Sequence, residues 1–140
     1  MNTPFIHRNL PRPQLQERES VMMHTRPSLL EHGLSDPQWR VLGEHGVVEI
    51  GRVAREALIL GPSLTGVLTR MERDGLIRHS RDPADQRRTV VEASTRGLDL
   101  VATLSQTIEA HYQWMGKTLG KQKPTQLYAL LDEVIELEQP

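Results

Sequence analysis

The chain has 140 residues, of which 37% are apolar and 25% charged, and its formal net charge is −1. This length suits one domain with a sizeable core, and the near-neutral total argues against a protein that coats DNA nonspecifically. Cysteine is absent, which excludes disulfides, thiol catalysis and thiol redox sensing. With no run of 18 apolar residues and no apolar signal segment, we expect no membrane span and a cytoplasmic location.

Positive charge is concentrated in one part of the chain. Apart from histidines, the basic residues between Arg40 and Arg96 are all arginines, six of them lie between Arg70 and Arg88, and the three lysines lie far downstream. Such a segment is typical of a surface that contacts DNA grooves and phosphates. Acidic residues are interleaved with these arginines, so charge alone supports equally well a solvated face of internal salt bridges.

The first predicted elements are an arm and a helix. Residues 1–11 contain helix breakers and little periodicity, which indicates a mobile arm. A helix then runs from about Pro13 to Gly33, and Pro27 is expected to kink it or to remove one backbone hydrogen bond. Its apolar positions are Leu15, Val21, Met22, Leu29 and Leu30.

Two short helices follow. Ser35 is a strong N-cap, with Pro37 in the first turn, for a helix over about 36–45 that stops at Gly46. A third helix over about 50–58 has Val53, Ala54 and Ala57 facing inward, and residues 59–61 form a turn.

The next helix, over about 62–73, has two different faces. Its inward stripe follows the i, i+3, i+4, i+7 spacing of an amphipathic helix and consists of Leu64, Val67, Leu68 and Met71. Its outward stripe is small at one end and cationic at the other, and consists of Pro62, Gly66, Thr69, Arg70 and Arg73. Gly66 costs about 1 kcal/mol relative to Ala in mid-helix, which indicates that something bulky approaches there. We interpret this helix as a recognition helix for the DNA major groove.

A β-hairpin is predicted directly after this helix. Residues 76–81 form a strand, residues 82–85 a turn rich in Asp and Pro, and residues 88–93 a β-branched returning strand. Two helices joined by a tight turn and followed by a hairpin make a winged helix-turn-helix.

The C-terminal part is predicted to be helical. Ser94 caps a long helix over about 95–119, and a last helix starts near Pro124. The stripes of these helices and of the first helix have no sheet to cover, so they most simply bury one another between two chains. The predicted fold is mainly α with a small β-hairpin: a winged helix-turn-helix over about 36–94, and an α-helical dimerisation layer over about 12–33 and 95–138. A monomeric helical bundle is the alternative.

Three blocks of sequence resemble the MarR family of regulators. Residues 34–42 (LSDPQWRVL) are similar to the family's opening block, and residues 82–88 (DPADQRR) to its wing signature. Residues 62–76 (PSLTGVLTRMERDGL) resemble the HpaR branch, which regulates operons for homoprotocatechuate (4-hydroxyphenylacetate) breakdown. The likeness runs from about residue 15 to residue 137.

The resemblance implies a winged-helix homodimer that binds a pseudo-palindromic operator in double-stranded DNA, represses transcription and is released by a small aromatic carboxylate. It implies that Ser63 and Thr65 donate to phosphates or base edges and that Arg87 enters the minor groove, with Asp85 orienting it. The remaining predicted DNA contacts are Gly66, Thr69, Arg70, Arg73 and Arg88. For Arg73, a salt bridge to the protein's own acids is as good an interpretation.

An effector site is predicted on the first helix. Arg18 and Arg26 are expected to be half buried and so to need an anionic partner, which is either a neighbouring Glu (17, 19 or 31) or the carboxylate of a ligand. The apolar part of the site would consist of Met22, Met23 and Trp39, with His24 or Ser28 meeting a ring hydroxyl. For Trp39, an ordinary core position is the competing interpretation.

An enzyme and a protein-binding module are the alternatives to a DNA-binding regulator. The sequence has no P-loop, nucleophile elbow or dinucleotide fingerprint and no histidine pair with metal-ligand spacing, so we expect no enzyme, cofactor or metal site. A winged-helix module that binds protein instead of DNA would give the arginines no salt-dependent role.

Overall fold

The computed structural model of the protein describes residues 9–43, 47–59 and 61–137. The helices and strands in chain order are α1 (Pro11–Glu31), α2 (Asp36–Leu42), β1 (Val47–Glu49), α3 (Ile50–Ala57), α4 (Gly61–Arg73), β2 (Ile77–Arg81), β3 (Thr89–Ala93), α5 (Thr95–Leu119) and α6 (Gln122–Ile135). The predicted class, mainly α with a small hairpin, is confirmed. Most of the predicted arm, and Gly46 as the end of α2, lie outside the described residues.

The turn between α1 and α2 follows its sequence signals. Gly33 has a φ of +70°, and Leu34 donates its backbone N–H to the Leu29 carbonyl at 2.9 Å, which closes the end of α1. Ser35 then caps α2 through a reciprocal pair of hydrogen bonds with Gln38, of 2.9 and 3.3 Å. This capping box satisfies two backbone donors and confirms Ser35 as the N-cap. Pro27 lies inside α1 without ending it.

The three strands form one antiparallel sheet in the order β1-β3-β2. β2 and β3 are the predicted hairpin, paired from Ile77↔Ala93 to Arg81↔Thr89. β1 was not predicted, and it pairs with the other edge of β3, with Val48 opposite Val91. The wing is therefore anchored at its base by a strand that precedes α3 in the chain.

The chain divides into two compact units, Met1–Leu104 and Ser105–Pro140. The first unit has a continuous apolar core to which the helices and the hairpin all contribute. Its most deeply buried members are Leu29, Leu34, Val41, Leu42, Val53, Ala57, Leu64, Met71, Leu76, Ile77 and Leu104. The predicted inward stripe of α4 is buried here, apart from Leu68, which is half buried.

The second unit contains the C-terminal half of α5 and α6. His111 and Trp114 stack with ring centroids 5.5 Å apart, and Gly116 lies close to the Pro124 ring across the turn. α6 has no buried residue, although its apolar positions are numerous. The large apolar side chains exposed on α6 are Leu127, Tyr128, Leu130, Val134 and Ile135.

Candidate functional site

The outward face of α4 is accessible along its whole length. Ser63, Thr65, Thr69 and Arg70 are exposed. The Thr69 hydroxyl donates to the Thr65 carbonyl at 2.8 Å, so its proton is used within the helix and its lone pairs face outward. Because the last polar side chains are cationic and the first small, this face has an anion-attracting surface that a bulky ligand can approach closely.

Gly66 sits at the centre of this face. A Cβ atom added there would meet only the Arg70 guanidinium, at 3.9 Å from Nη2, which is an ordinary van der Waals distance. The protein's own packing therefore leaves room for an alanine at this position. It follows that Arg70 extends back over the glycine, along the outward face toward the start of α4.

Arg73 lies at the end of α4 and contacts the neighbouring Asp74, with Nε 3.4 Å from the carboxylate. Its side chain is 70% exposed, so this contact leaves most of the guanidinium in solvent. Arg73 also borders a cleft of about 650 Å³. The other residues that line this cleft are His32, Gly33, Asp74, Leu76, Arg96, Asp99, Leu100 and Thr103. The salt-bridge interpretation of Arg73 is thus realised in this structure, in an exposed and weak form.

The Asp85 carboxylate contacts both arginines at the tip of the wing. Asp85 accepts a hydrogen bond from the Arg87 backbone N–H at 3.1 Å and lies 3.3 Å from its side-chain Nε. Arg88 is farther from the same carboxylate, at 3.8 Å. The Arg87 side chain is 92% exposed, so Asp85 restricts its direction without burying it.

Two contacts of the wing were not predicted from the sequence. His79 on β2 lies 2.6 Å from the Glu72 carboxylate on α4, which connects the hairpin to α4. Arg78 pairs with Glu92 across the hairpin at 3.3 Å, between residues that are directly opposite in the register. The register would have revealed the second pair, whereas the first depends on how α4 packs on the sheet.

The two arginines proposed for an effector already have carboxylate partners. Arg26 makes a two-pronged contact with Glu19, at 2.8 and 2.9 Å. This hydrogen-bonded pair lowers the pKa of the Glu19 carboxyl and raises the pKa of Arg26. Arg18 instead reaches from α1 to Asp36 on α2, at 2.6 Å, and its contact with Glu19 is longer, at 3.7 Å. Asp36 was not among the carboxylates expected to pair with it.

The other residues predicted for the effector site lie on different helix faces. Arg18, Met22 and Leu29 share one face of α1 by the spacing of the helix, and Met22 is half buried there. Trp39 on α2 is also half buried, as both the core and the pocket interpretations allow. His24 is exposed and, with Ser28, lies on a different face; Met23 is 67% exposed. The Ser28 carbonyl contacts His32 Nδ1 at 2.9 Å. The predicted residues therefore do not form one group.

Thr25 belongs to this region and was missed by the sequence reasoning. It lies on the same face as Arg18 and is only 3% exposed, and within the described part of the chain its hydroxyl has no hydrogen-bond partner. Arg40 Nε on α2 is buried and unpaired in the same way. The position of Thr25, three residues after Met22 and four before Leu29, on the face that these two apolar residues share, was the available signal.

Residues 9–43, 47–59 and 61–137 provide neither a metal-binding cluster nor a membrane-spanning helix. No group of three or more His, Asp or Glu side chains there could hold a metal ion. None of the helices in these ranges is both long and apolar enough to cross a bilayer.

A winged helix with an exposed, partly cationic helix face defines a class of nucleic-acid-binding folds. Residues 32–88 match the MarR family. The chain is 37% identical to the homoprotocatechuate degradative operon repressor of Escherichia coli, over 94% of this chain and 91% of that protein. It is 33% identical to the HTH-type transcriptional regulator FarR of Neisseria gonorrhoeae, over 99% of this chain and 97% of that protein. The solved structure of NadR in complex with 4-hydroxyphenylacetate superposes with a TM-score of 0.89, at 33% identity, and covers 99% of this chain and 100% of that one. The protein therefore belongs to the MarR family of transcriptional regulators.

Proposed function

We propose that the protein is a homodimeric, sequence-specific DNA-binding repressor of an operon for aromatic-acid breakdown, and that a small aromatic carboxylate releases it from its operator. The observation that carries the proposal is the outward face of α4, whose polar residues are exposed beside a wing that ends in the exposed Arg87. The likeness to the homoprotocatechuate operon repressor supports the operon class, and the likeness to NadR with 4-hydroxyphenylacetate supports the ligand class. We infer no catalytic activity.

The DNA-reading role is divided between two elements. α4 enters the major groove with Ser63 and Thr65 near the phosphates, where the helix N-terminus adds its own N–H groups. Thr69 and Arg70 face the base edges, and a bidentate arginine there would contribute about 1–3 kcal/mol of discrimination for guanine. Arg87, directed by Asp85, enters the adjacent minor groove, and Arg88 and Arg73 contact phosphates.

Two copies of the chain together form the DNA-binding unit. The exposed apolar side chains of α6, among them Leu127, Leu130 and Val134, would gain about 25 cal/mol for each Å² removed from water. A two-fold dimer places its two recognition helices in successive major grooves, about 34–36 Å apart. The helices before and after the winged part then form the dimerisation layer, and residues 36–94 the DNA-reading part.

The effector site is assigned to Arg18 rather than Arg26. Arg18 connects two helices through Asp36, whereas Arg26 is engaged by both oxygens of Glu19 within its own helix. A ligand carboxylate that takes the Arg18 guanidinium competes with Asp36, and so alters the connection between α1 and α2. Met22 and Trp39 offer the apolar contacts, and the unpaired Thr25 hydroxyl offers a buried hydrogen bond. Complete release needs a preference of about 5.5 kcal/mol for the state that binds DNA poorly.

A titration of labelled DNA tests the proposal. Fluorescence anisotropy with the duplex upstream of the protein's own gene, over a series of salt concentrations, should give a steep negative slope of log affinity against log salt. Adding 4-hydroxyphenylacetate or homoprotocatechuate should weaken binding, and phenylacetate, which lacks the hydroxyl, should weaken it less. If the protein binds DNA but no aromatic acid changes the affinity, the effector part is wrong and the DNA part stands. If binding is absent or insensitive to salt, the alternative of a protein-binding winged helix takes its place.

A further inference from the structure

The C-terminal end of α4 is closed by a local hydrogen-bonding motif. Gly75 has a φ of +76° and donates to the Glu72 carbonyl at 3.0 Å, while Leu76 donates to the Met71 carbonyl at 2.9 Å. This pair of bonds is a Schellman motif, and the side chains of Met71 and Leu76 are both buried. The motif satisfies the carbonyls of Met71 and Glu72, and the chain turns away from the helix axis after it.

The carbonyls of the next three residues, Asp74, Gly75 and Leu76, all accept hydrogen bonds from residues at the start of α5. The Asp74 carbonyl accepts from Arg96 Nη1 at 2.7 Å. The Gly75 carbonyl accepts from the Ser94 hydroxyl at 2.5 Å, and the Leu76 carbonyl accepts from the Ser94 backbone N–H at 2.9 Å. We call this set of contacts the α4–α5 clamp.

Gly97 shows how tightly the clamp is built. A Cβ atom at this position would lie 2.2 Å from the Leu76 carbonyl oxygen, a backbone atom that cannot move aside. The Gly97 N–H donates to the Ser94 hydroxyl at 3.0 Å, so Ser94 also caps α5. Because Gly97 has no side chain, the first turn of α5 rests directly on the chain that leaves the recognition helix.

Arg96 is the charged member of the clamp. Carbonyls at a helix C-terminus carry partial negative charge, and a cation there interacts favourably. The Arg96 hydrogen bond acts on Asp74, only one residue beyond the end of α4 and next to Arg73. Ser94 and Gly97 hold the two elements together, whereas the exposed Arg96 side chain reaches over to the residue that directly follows the last turn of α4.

We propose that Arg96 is a positioning residue for DNA reading, which sets the direction in which α4 presents its outward face. This inference rests on the proposed function of DNA recognition. Sequence is read through contacts to base edges, whereas phosphate contacts carry no sequence information directly, so loss of Arg96 reduces discrimination between sequences more than general attraction to DNA.

The test compares R96A, R96K and R12A in the full-length protein. The probes are the duplex that the wild-type protein selects from a random pool and a scrambled duplex of the same composition. R96A should bind the selected duplex about tenfold more weakly, an effect within the range of coupling found between residues in contact, with the scrambled duplex and the salt slope unchanged. R96K, which keeps a charged donor for the Asp74 carbonyl, should recover most of the discrimination. R12A, which removes the same charge from α1, should change neither probe.

Three results would overturn the inference. Equal loss on both duplexes with a shallower salt slope would make Arg96 a phosphate contact. A lower melting temperature with an unchanged ratio of affinities would make it only a stabilising residue. Failure of the wild-type protein to select any sequence would refute the proposed function itself, and the inference with it. If R96A does not fold, R96M, which keeps the aliphatic part of the side chain but has no hydrogen-bond donor, replaces it with the same expectations.

Discussion

Asp85 holds Arg87 at the wing tip by two contacts at once, one to the backbone N–H at 3.1 Å and one to the side-chain Nε at 3.3 Å. The arginine is thereby directed while its charge stays in solvent. A directed cation loses less conformational freedom on binding than a free one, since rotamer entropy is part of the cost of association.

R87A should weaken DNA binding and make the slope of log affinity against log salt shallower by about one, as expected when one cation that displaces counterions from the DNA is lost. D85A should weaken binding less and leave the slope unchanged, because the charge remains and only its orientation is lost. Anisotropy titrations at several salt concentrations measure both quantities. An unchanged affinity and slope in R87A would refute the role of the wing.

Gly66 permits a variant whose effects on folding and on DNA binding have opposite signs. G66A should stabilise the protein by about 1 kcal/mol, the difference in helix propensity, since its methyl group would meet only the flexible Arg70 side chain. The same methyl group should weaken operator binding if DNA approaches this face. Urea unfolding and anisotropy give the two values, and an increase in both stability and affinity would show that nothing approaches Gly66.

An alanine at Gly97 should lower the free energy of unfolding, whereas an alanine at Gly66 should raise it. G97A places a Cβ atom against the Leu76 carbonyl oxygen, so the start of α5 must shift and the free energy of unfolding should fall by about 1–3 kcal/mol. G66A serves as the matched control, because both variants add one methyl group to a helical glycine. A stable G97A variant would mean that the clamp is looser than the structure describes.

Arg18 and Arg26 form a matched pair for the effector site. Both side chains are 39% exposed, and both are paired with carboxylates. R18M should abolish the response of the protein–DNA complex to 4-hydroxyphenylacetate, while R26M should retain it, because only Arg18 connects α1 to α2. The ratio of DNA affinities with and without the ligand is the measurement. Loss of the response in R26M alone would show that the ligand carboxylate binds Arg26 instead of Arg18.

The Arg26 contact also predicts a dependence of stability on pH. The pKa of Glu19 is lowered in the folded protein from its ordinary value of 4.5, so the folded state favours the carboxylate more than the unfolded state does. The contribution is therefore fully present above that value and is lost as the pH falls through the lowered pKa. E19Q should be less stable than the wild type at about pH 6, and the difference should vanish in strong acid. Urea unfolding at several pH values would measure it.

The sequence predicted the elements whose signals are local. The i, i+3, i+4, i+7 spacing of Leu64, Val67 and Met71 was sufficient for α4, and Ser35 marked the start of α2 because a cap acts within a few residues. α2 ends at Leu42, earlier than predicted, and β1 was missed altogether. Three residues carry too little periodicity to indicate a strand, and the partner of β1 lies far along the chain.

In the candidate site, too, contacts within one helix could be predicted from the sequence, whereas contacts between distant parts of the chain could not. Arg26 pairs with Glu19 on its own helix, which sequence reasoning allowed as an alternative. Asp36 was not considered for Arg18, because only the turn after α1 brings it near. Arg96 was likewise not identified, since a contact with the Asp74 carbonyl involves a backbone atom and leaves no trace in residue type.

The position of β2 at the edge of the sheet has a consequence for the behaviour of the protein in concentrated solution. β3 occupies the centre, so the outer backbone edge of β2 is paired with no strand of the described chain, and an unpaired edge is a template for strands of other molecules. Four of the five residues of β2 are exposed, and its sequence, IRHSR, is basic. Two copies meeting edge to edge would bring the arginines of both strands together, so the charge of β2 discourages aggregation of the protein with itself.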